Sequence, residues 1–130
     1  IMPNHIHLML EQLQMNGKEC PKNSFEKFTA NSLVNKMKAT NDGALKNYEV
    51  TATDRKYNIW LRDPLAIKIF SKEMGWQKLD YMHSNPLQPH WLLCVNPADY
   101  RFSSAAFYEK NIDEFGLLTH FMEVFDSGGL

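Results

Sequence analysis

The feature that most constrains this chain is the alternation near its start, Asn4-His5-Ile6-His7-Leu8-Met9-Leu10. Successive side chains of a strand point to opposite faces, so Ile6, Leu8 and Leu10 fall on one side and His5, His7 and Met9 on the other. The pattern predicts a strand with an aliphatic core face and a histidine face. Pro3 stands near its beginning, where a missing N–H is tolerated.

Further along, NGKECPKN reads as a loop from its Gly, Pro and Asn content. Asn23 or Ser24 offers an N-cap and Glu26 the acid of a capping box, and Phe25, Phe28, Leu33, Val34 and Met37 continue at near-helical spacing to about Lys38. Residues 39–54 are polar and read as a loop or flap. Lys56 to Trp60 predicts a short strand, and the alternation of Leu65, Ile67 and Ile69 another. Ser71 caps a predicted helix to about Ser84, weakened by Gly75 by about 1 kcal/mol relative to Ala and ended by Pro86. Pro97 to Tyr108 reads as a turn and a short helix, and Phe115 to Phe125 as a last helix. No internal repeat or low-complexity tract interrupts this order.

A chain of 130 residues, 44% hydrophobic, fits one compact domain. No apolar run approaches the roughly 20 residues that span a bilayer, and no basic-then-apolar leader is present. Cys20 and Cys94 are too few and too far apart for a disulfide framework, which makes a reducing cytoplasm the expected compartment. The net charge of −1 hides a division: Lys18 to Lys78 carries 12 basic against 7 acidic residues, and Leu79 onward 2 against 7. A basic half attracts phosphate even on a neutral chain, although a solvated mixed surface has the same composition.

Two groups of residues bear chemistry. Histidines at i and i+2 of a strand share a face, so His5 and His7 can reach one metal ion, yet such pairs are also ordinary surface residues. Tyr81 and Asn85, four apart on a helix, project together. An amide oxygen is a hard ligand suited to Mg²⁺ or Mn²⁺ beside two imidazoles. A phenol with a pKa of about 10 is a poor nucleophile until a cation stabilises the phenolate; taken alone, Tyr81 reads equally as a packing aromatic. His83 points away from Tyr81 on such a helix and reads as a structural hydrogen-bonder. His90 with Cys94 and the histidine pair matches no standard zinc spacing. Trp60 and Trp91 either pack or stack on bases.

In order, the blocks MPNHIHLML, WLRD, KLDYMHSNPL and NPADYRFSSAAFY, from Ile1 to about Tyr108, resemble the REP-associated branch of the single-tyrosine HUH transposases, with further likeness in DEFGLLTHFM. The resemblance implies a ferredoxin-like α+β domain with a central antiparallel sheet. It implies metal ligation by His5, His7 and Asn85, and Tyr81 as the nucleophile. It also implies metal-dependent cleavage and rejoining of single-stranded or hairpin DNA through a 5′-phosphotyrosine, without ATP. Family members carry strand and helix segments ahead of the histidine strand, so residues upstream of Ile1 are expected. The open sheet edge then predicts a homodimer or larger assembly. After Asn85-Pro86 many members have a small glycine-containing turn where this chain reads LQPHWLL. Arg55, Lys56 and Arg62 are the expected phosphate contacts in the basic half. The alternative function is a non-catalytic DNA-binding remnant of such a transposase.

Overall fold

In a computed structural model, which describes residues 1–15, 17–61 and 65–126, the chain folds as two compact units. One comprises Ile1–Glu11 with Ile67–Leu130, the other Gln12–Ala66. Among the described residues four α-helices run in the order α1 (Pro21–Ala39), α2 (Lys72–Ser84), α3 (Ala105–Lys110) and α4 (Met122–Asp126), with short 3₁₀ turns between them.

The ferredoxin-like α+β fold with a central sheet is not what forms. Helices and loops dominate, and the strand pairing among the described residues comes to one isolated antiparallel bridge, Glu49 with Tyr57. The physical reason lies in the first segment. Alternation sets which side chains share a face, but a strand is completed only by a neighbour that takes its N–H and C=O groups. No described segment supplies that neighbour to residues 4–11. Ile6 is half-buried, while Leu8 and Leu10 stay exposed rather than entering a core. The expected strand at Lys56–Trp60 contributes only the bridge at Tyr57, and the alternation over residues 65–69 forms no ladder. Assembly through a sheet edge rested on that sheet and loses its premise with it.

In the unit that carries α2, local chemistry explains the element well. Ser71 takes the extended conformation of an N-cap and its Oγ accepts from the Met74 N–H at 3.2 Å, with Glu73 in the first turn. Gly75, Leu79 and His83, at four-residue steps, form the buried stripe. The glycine has a packing reason, since a Cβ there would lie 2.5 Å from Cε2 of buried Phe121. Around Phe121 gather Trp76, Tyr108, His120 and Phe125, in edge-on, tilted and stacked arrangements. Such contacts add to the stabilisation of plain area burial.

Before α4, the helix expected from Phe115 is pre-empted. Asp113 accepts from the Phe115 and Gly116 N–H groups through Oδ1 and from Leu118 through Oδ2, and Gly116 takes a left-handed φ of 62°. A short acidic side chain offering its oxygens to nearby N–H groups competes with helix formation. The helix begins only at Met122.

The other unit is built around α1. Pro21 occupies its first turn, where a missing N–H costs nothing, and Cys20 is the N-cap residue. The expected Asn23 or Ser24 cap is displaced because Ser24 Oγ donates to Glu19 Oε2 at 2.9 Å. Thr29 Oγ1 receives the Trp60 indole N–H at 2.9 Å, and Phe25 meets the same indole with centroids 6.4 Å apart. Asn41, with φ of 52°, ends the helix by returning the Asp42 N–H to Met37 O. Asp42 then caps the turn Gly43–Tyr48. No described residue of this unit is buried.

A candidate metal site beside Tyr81

Three side chains from two segments converge. His5 Nε2 and His7 Nε2 lie 3.1 Å apart, and Asn85 Nδ2 lies 3.2 Å from the first and 3.0 Å from the second. The i, i+2 spacing brings the imidazoles together from one side of the chain, and the C-terminal end of α2 brings Asn85 to meet them. Asn85 is the C-cap residue of α2 and is buried; Pro86, immediately after it, is the largest fully buried side chain. Tyr81, one turn earlier, is 61% exposed, and its ring meets that of His7 edge-on at 5.7 Å. Thus one helix turn presents a buried amide and an accessible phenol to the same histidine.

The triangle cannot be satisfied by hydrogen bonds alone. If the Asn85 amide donates to both rings, both Nε2 atoms are acceptors and face each other lone pair to lone pair. If its oxygen occupies the corner instead, both rings must donate and their N–H groups collide. Every assignment leaves one frustrated contact, whereas a cation receiving three lone pairs leaves none. Two ligands of one ion at about 2.1 Å stand roughly 3.0–3.4 Å apart, which is the spacing of these corners. A hard cation would take the amide through its oxygen, the same side chain turned by half a revolution.

The protonation states favour that role. His5 Nδ1 lies 2.7 Å from Asn4 Oδ1, which selects the neutral-ring tautomer with the hydrogen on Nδ1 and the lone pair on Nε2. Burial, and then the positive charge available on His5, lower the pKa of His7 below its ordinary value. A neutral imidazole is the ligand form. Among the described residues no group of three or more His, Cys, Asp or Glu gathers, so His90 and Cys94 do not complete a zinc set with the histidine pair. The third corner is an amide, which such a group does not include.

The remaining candidates separate. His83 is buried, exchanges a hydrogen bond with Ser104 Oγ at 2.9 Å and packs against Tyr108, and burial lowers its pKa. Its place is in the core. Arg55 and Lys56 belong to the α1 unit, each beside an acid: Asp54 at 3.9 Å and Glu49 at 3.5 Å. A phosphate would have to displace those carboxylates. Arg62 lies outside the described residues. One site residue escaped sequence reasoning: Asn4 orients His5, and its place directly before the first histidine was the available signal. Trp91, which by its sequence either packs or stacks on bases, stands 6.0 Å from His5, centroid to centroid, and nothing local marked that proximity.

Comparison with known proteins gives no match to a family model, a curated relative or a solved structure. No helix among the described residues is long and apolar enough to cross a membrane.

Proposed function

We propose that this chain is a single-tyrosine HUH transposase, a DNA strand transferase acting on single-stranded or hairpin DNA. Tyr81 is its nucleophile, and His5, His7 and Asn85 hold a divalent cation, Mg²⁺ or Mn²⁺. The observation that carries this reading is the frustrated triangle of His5, His7 and Asn85 beside an exposed Tyr81. The ordered sequence blocks, the first carrying His5 and His7 and the third Tyr81 and Asn85, support it further.

In the reaction so proposed, the Tyr81 oxygen bonds to phosphorus while the bond from phosphorus to the 3′ oxygen breaks. The phenol proton passes to solvent and the departing 3′ oxygen takes one up, giving a 5′-phosphotyrosine and a 3′-hydroxyl. One phosphodiester replaces another, so rejoining needs no ATP. A bound cation supplies charge that polarises the phosphate and favours the phenolate. The burial that keeps His7 neutral keeps its lone pair available near neutral pH, and Asn4 holds His5 in the matching tautomer. Arg55, Lys56 and Arg62 give the strand its phosphate contacts. Work in a reducing cytoplasm suits the free thiols of Cys20 and Cys94.

The test is adduct formation with Mn²⁺ and a random-sequence pool of single-stranded oligonucleotides, resolved under denaturing conditions. The parent forms a denaturant-resistant adduct. Tyr81→Phe forms none and binds nearly as well, His7→Ala loses the adduct with partial recovery at higher Mn²⁺, and Asn85→Ala is milder because water replaces one amide. An adduct from Tyr81→Phe would put the nucleophile elsewhere. Binding by the parent without any adduct would favour the second reading, a DNA-binding remnant without chemistry.

A further inference from the structure

The three tryptophans are held in different ways. Trp60 gives its indole N–H to Thr29, and Trp76, though 40% exposed, meets Tyr108, His120 and Phe121 at centroid distances of 6.0, 5.8 and 4.8 Å. Both have structural employment. Trp91 is half-buried, and the aromatic rings it meets among the described residues are imidazoles, His5 at 6.0 Å and His90 at 5.3 Å. Its indole nitrogen makes no hydrogen bond among the described residues and is not sealed from solvent, so the N–H and its ring edge stay open to a ligand.

The turn that carries Trp91 is tightly specified. Gln88 O accepts from the Trp91 and Leu92 N–H groups at 2.8 and 2.9 Å, and Pro86 O accepts from Leu93 at 2.9 Å. Leu92 has a φ of 44°, the left-handed region that a branched apolar residue rarely enters. Strain of that kind persists where surrounding bonds over-determine it, and it gathers at ligand-holding loops. Here the bonds run back to Pro86, next to Asn85, so the indole is fixed relative to the cluster by the same stretch of chain that supplies its third corner.

We infer that Trp91 is a stacking platform for an unpaired nucleobase flanking the scissile phosphate, which sets the phosphodiester that a single strand presents to the His5–His7–Asn85 cluster; this rests on the DNA-cleaving reading above. A flat indole accepts any base on its face, so its contribution is register along the strand rather than base identity.

The experiment compares binding of two single strands of equal length and equal phosphate count, oligo-dT and its abasic counterpart. The parent prefers oligo-dT by about tenfold, the scale of one base stacked on one aromatic ring. Trp91→Leu keeps apolar volume in the turn but removes the π face, and brings the preference close to one. Trp91→Phe retains most of it, and Tyr81→Phe retains all of it. A preference in Trp91→Leu equal to the parent's would make Trp91 a packing residue and overturn the inference, while adduct formation by the parent would leave the nuclease reading standing. Equal binding of both strands by the parent would overturn it as well. Binding of neither strand would remove both.

Discussion

The two units of this chain obtain their order from different sources. In the unit that carries α2, Leu79, Ala98, Ala105 and Phe121 are buried, and the helix lays Gly75, Leu79 and His83 against them. In the unit that carries α1, a 19-residue helix has no buried residue, and Phe25, Phe28 and Leu33 are exposed along it. The first is held by a buried core, the second by devices at the helix ends, a proline at the first turn and a left-handed asparagine after the last, and by the contacts of Trp60 with Thr29 and Phe25. Most helical stability in proteins comes from packing of an apolar face rather than from propensity. Three donors kept within a few tenths of an ångström of one spacing need rigid support, and all of the candidate metal ligands belong to the unit with the core.

The largest expected contrast follows from one truncation in each unit. Leu79→Ala, 3% exposed in the parent, should cost about 2–5 kcal/mol of unfolding free energy. Phe28→Ala, 71% exposed, should stay within about 0.5 kcal/mol. Denaturant melts of both variants decide it, and equal costs would abolish the distinction between the units. Gly75→Ala sharpens the account of the core. Helix propensity alone predicts a gain of about 1 kcal/mol, but a Cβ at 2.5 Å from Phe121 meets a ring that is itself buried. Overpacking should win, with a net loss of about 1–3 kcal/mol in the same melts; a gain in stability would show that the aromatic cluster yields easily.

The smallest effect concerns an exposed loop of the packed unit. Hydrogen bonds from Leu118 first, then from Phe115 and Gly116, hold the Asp113 carboxyl below its ordinary value of 3.8. The folded-state value lies below the unfolded one, so the stabilisation is complete above the unfolded value and is lost as pH falls from there through the folded-state value. Asp113→Asn should therefore melt below the parent at neutral pH, and the gap should close on acidification below the ordinary carboxylate range. A gap that persists at low pH would assign the effect to loop geometry rather than charge.

What the sequence made legible was local. Ser71 and Pro86 bracket α2 by capping and by proline sterics, and the structure begins and ends the helix there. The two spacings, i and i+2 for the histidines and i and i+4 for Tyr81 and Asn85, bring these side chains near one another, although the histidines lie in no strand. What was illegible depended on distant partners or on competing local bonds. The alternation of residues 4–10 specifies a face but no neighbour, so the sheet inferred from it did not follow. The helix expected at Phe115 lost its first N–H groups to Asp113. Trp91 stands beside His5 in a turn whose left-handed residue is Leu92, and a leucine carries no signal for such a turn.

Asn85 also closes α2, and the residue after it is the most deeply enclosed of the large side chains. Heat or dilute denaturant should therefore not open the triangle evenly. The amide corner is clamped between a helix end and a sealed proline, while the chain beyond His7 runs into exposed Leu8 and Leu10. The cluster should come apart from its histidine side, with the imidazoles gaining freedom while Asn85 stays in register, so the ring protons of His5 and His7 should broaden in a thermal series before those of the Asn85 amide.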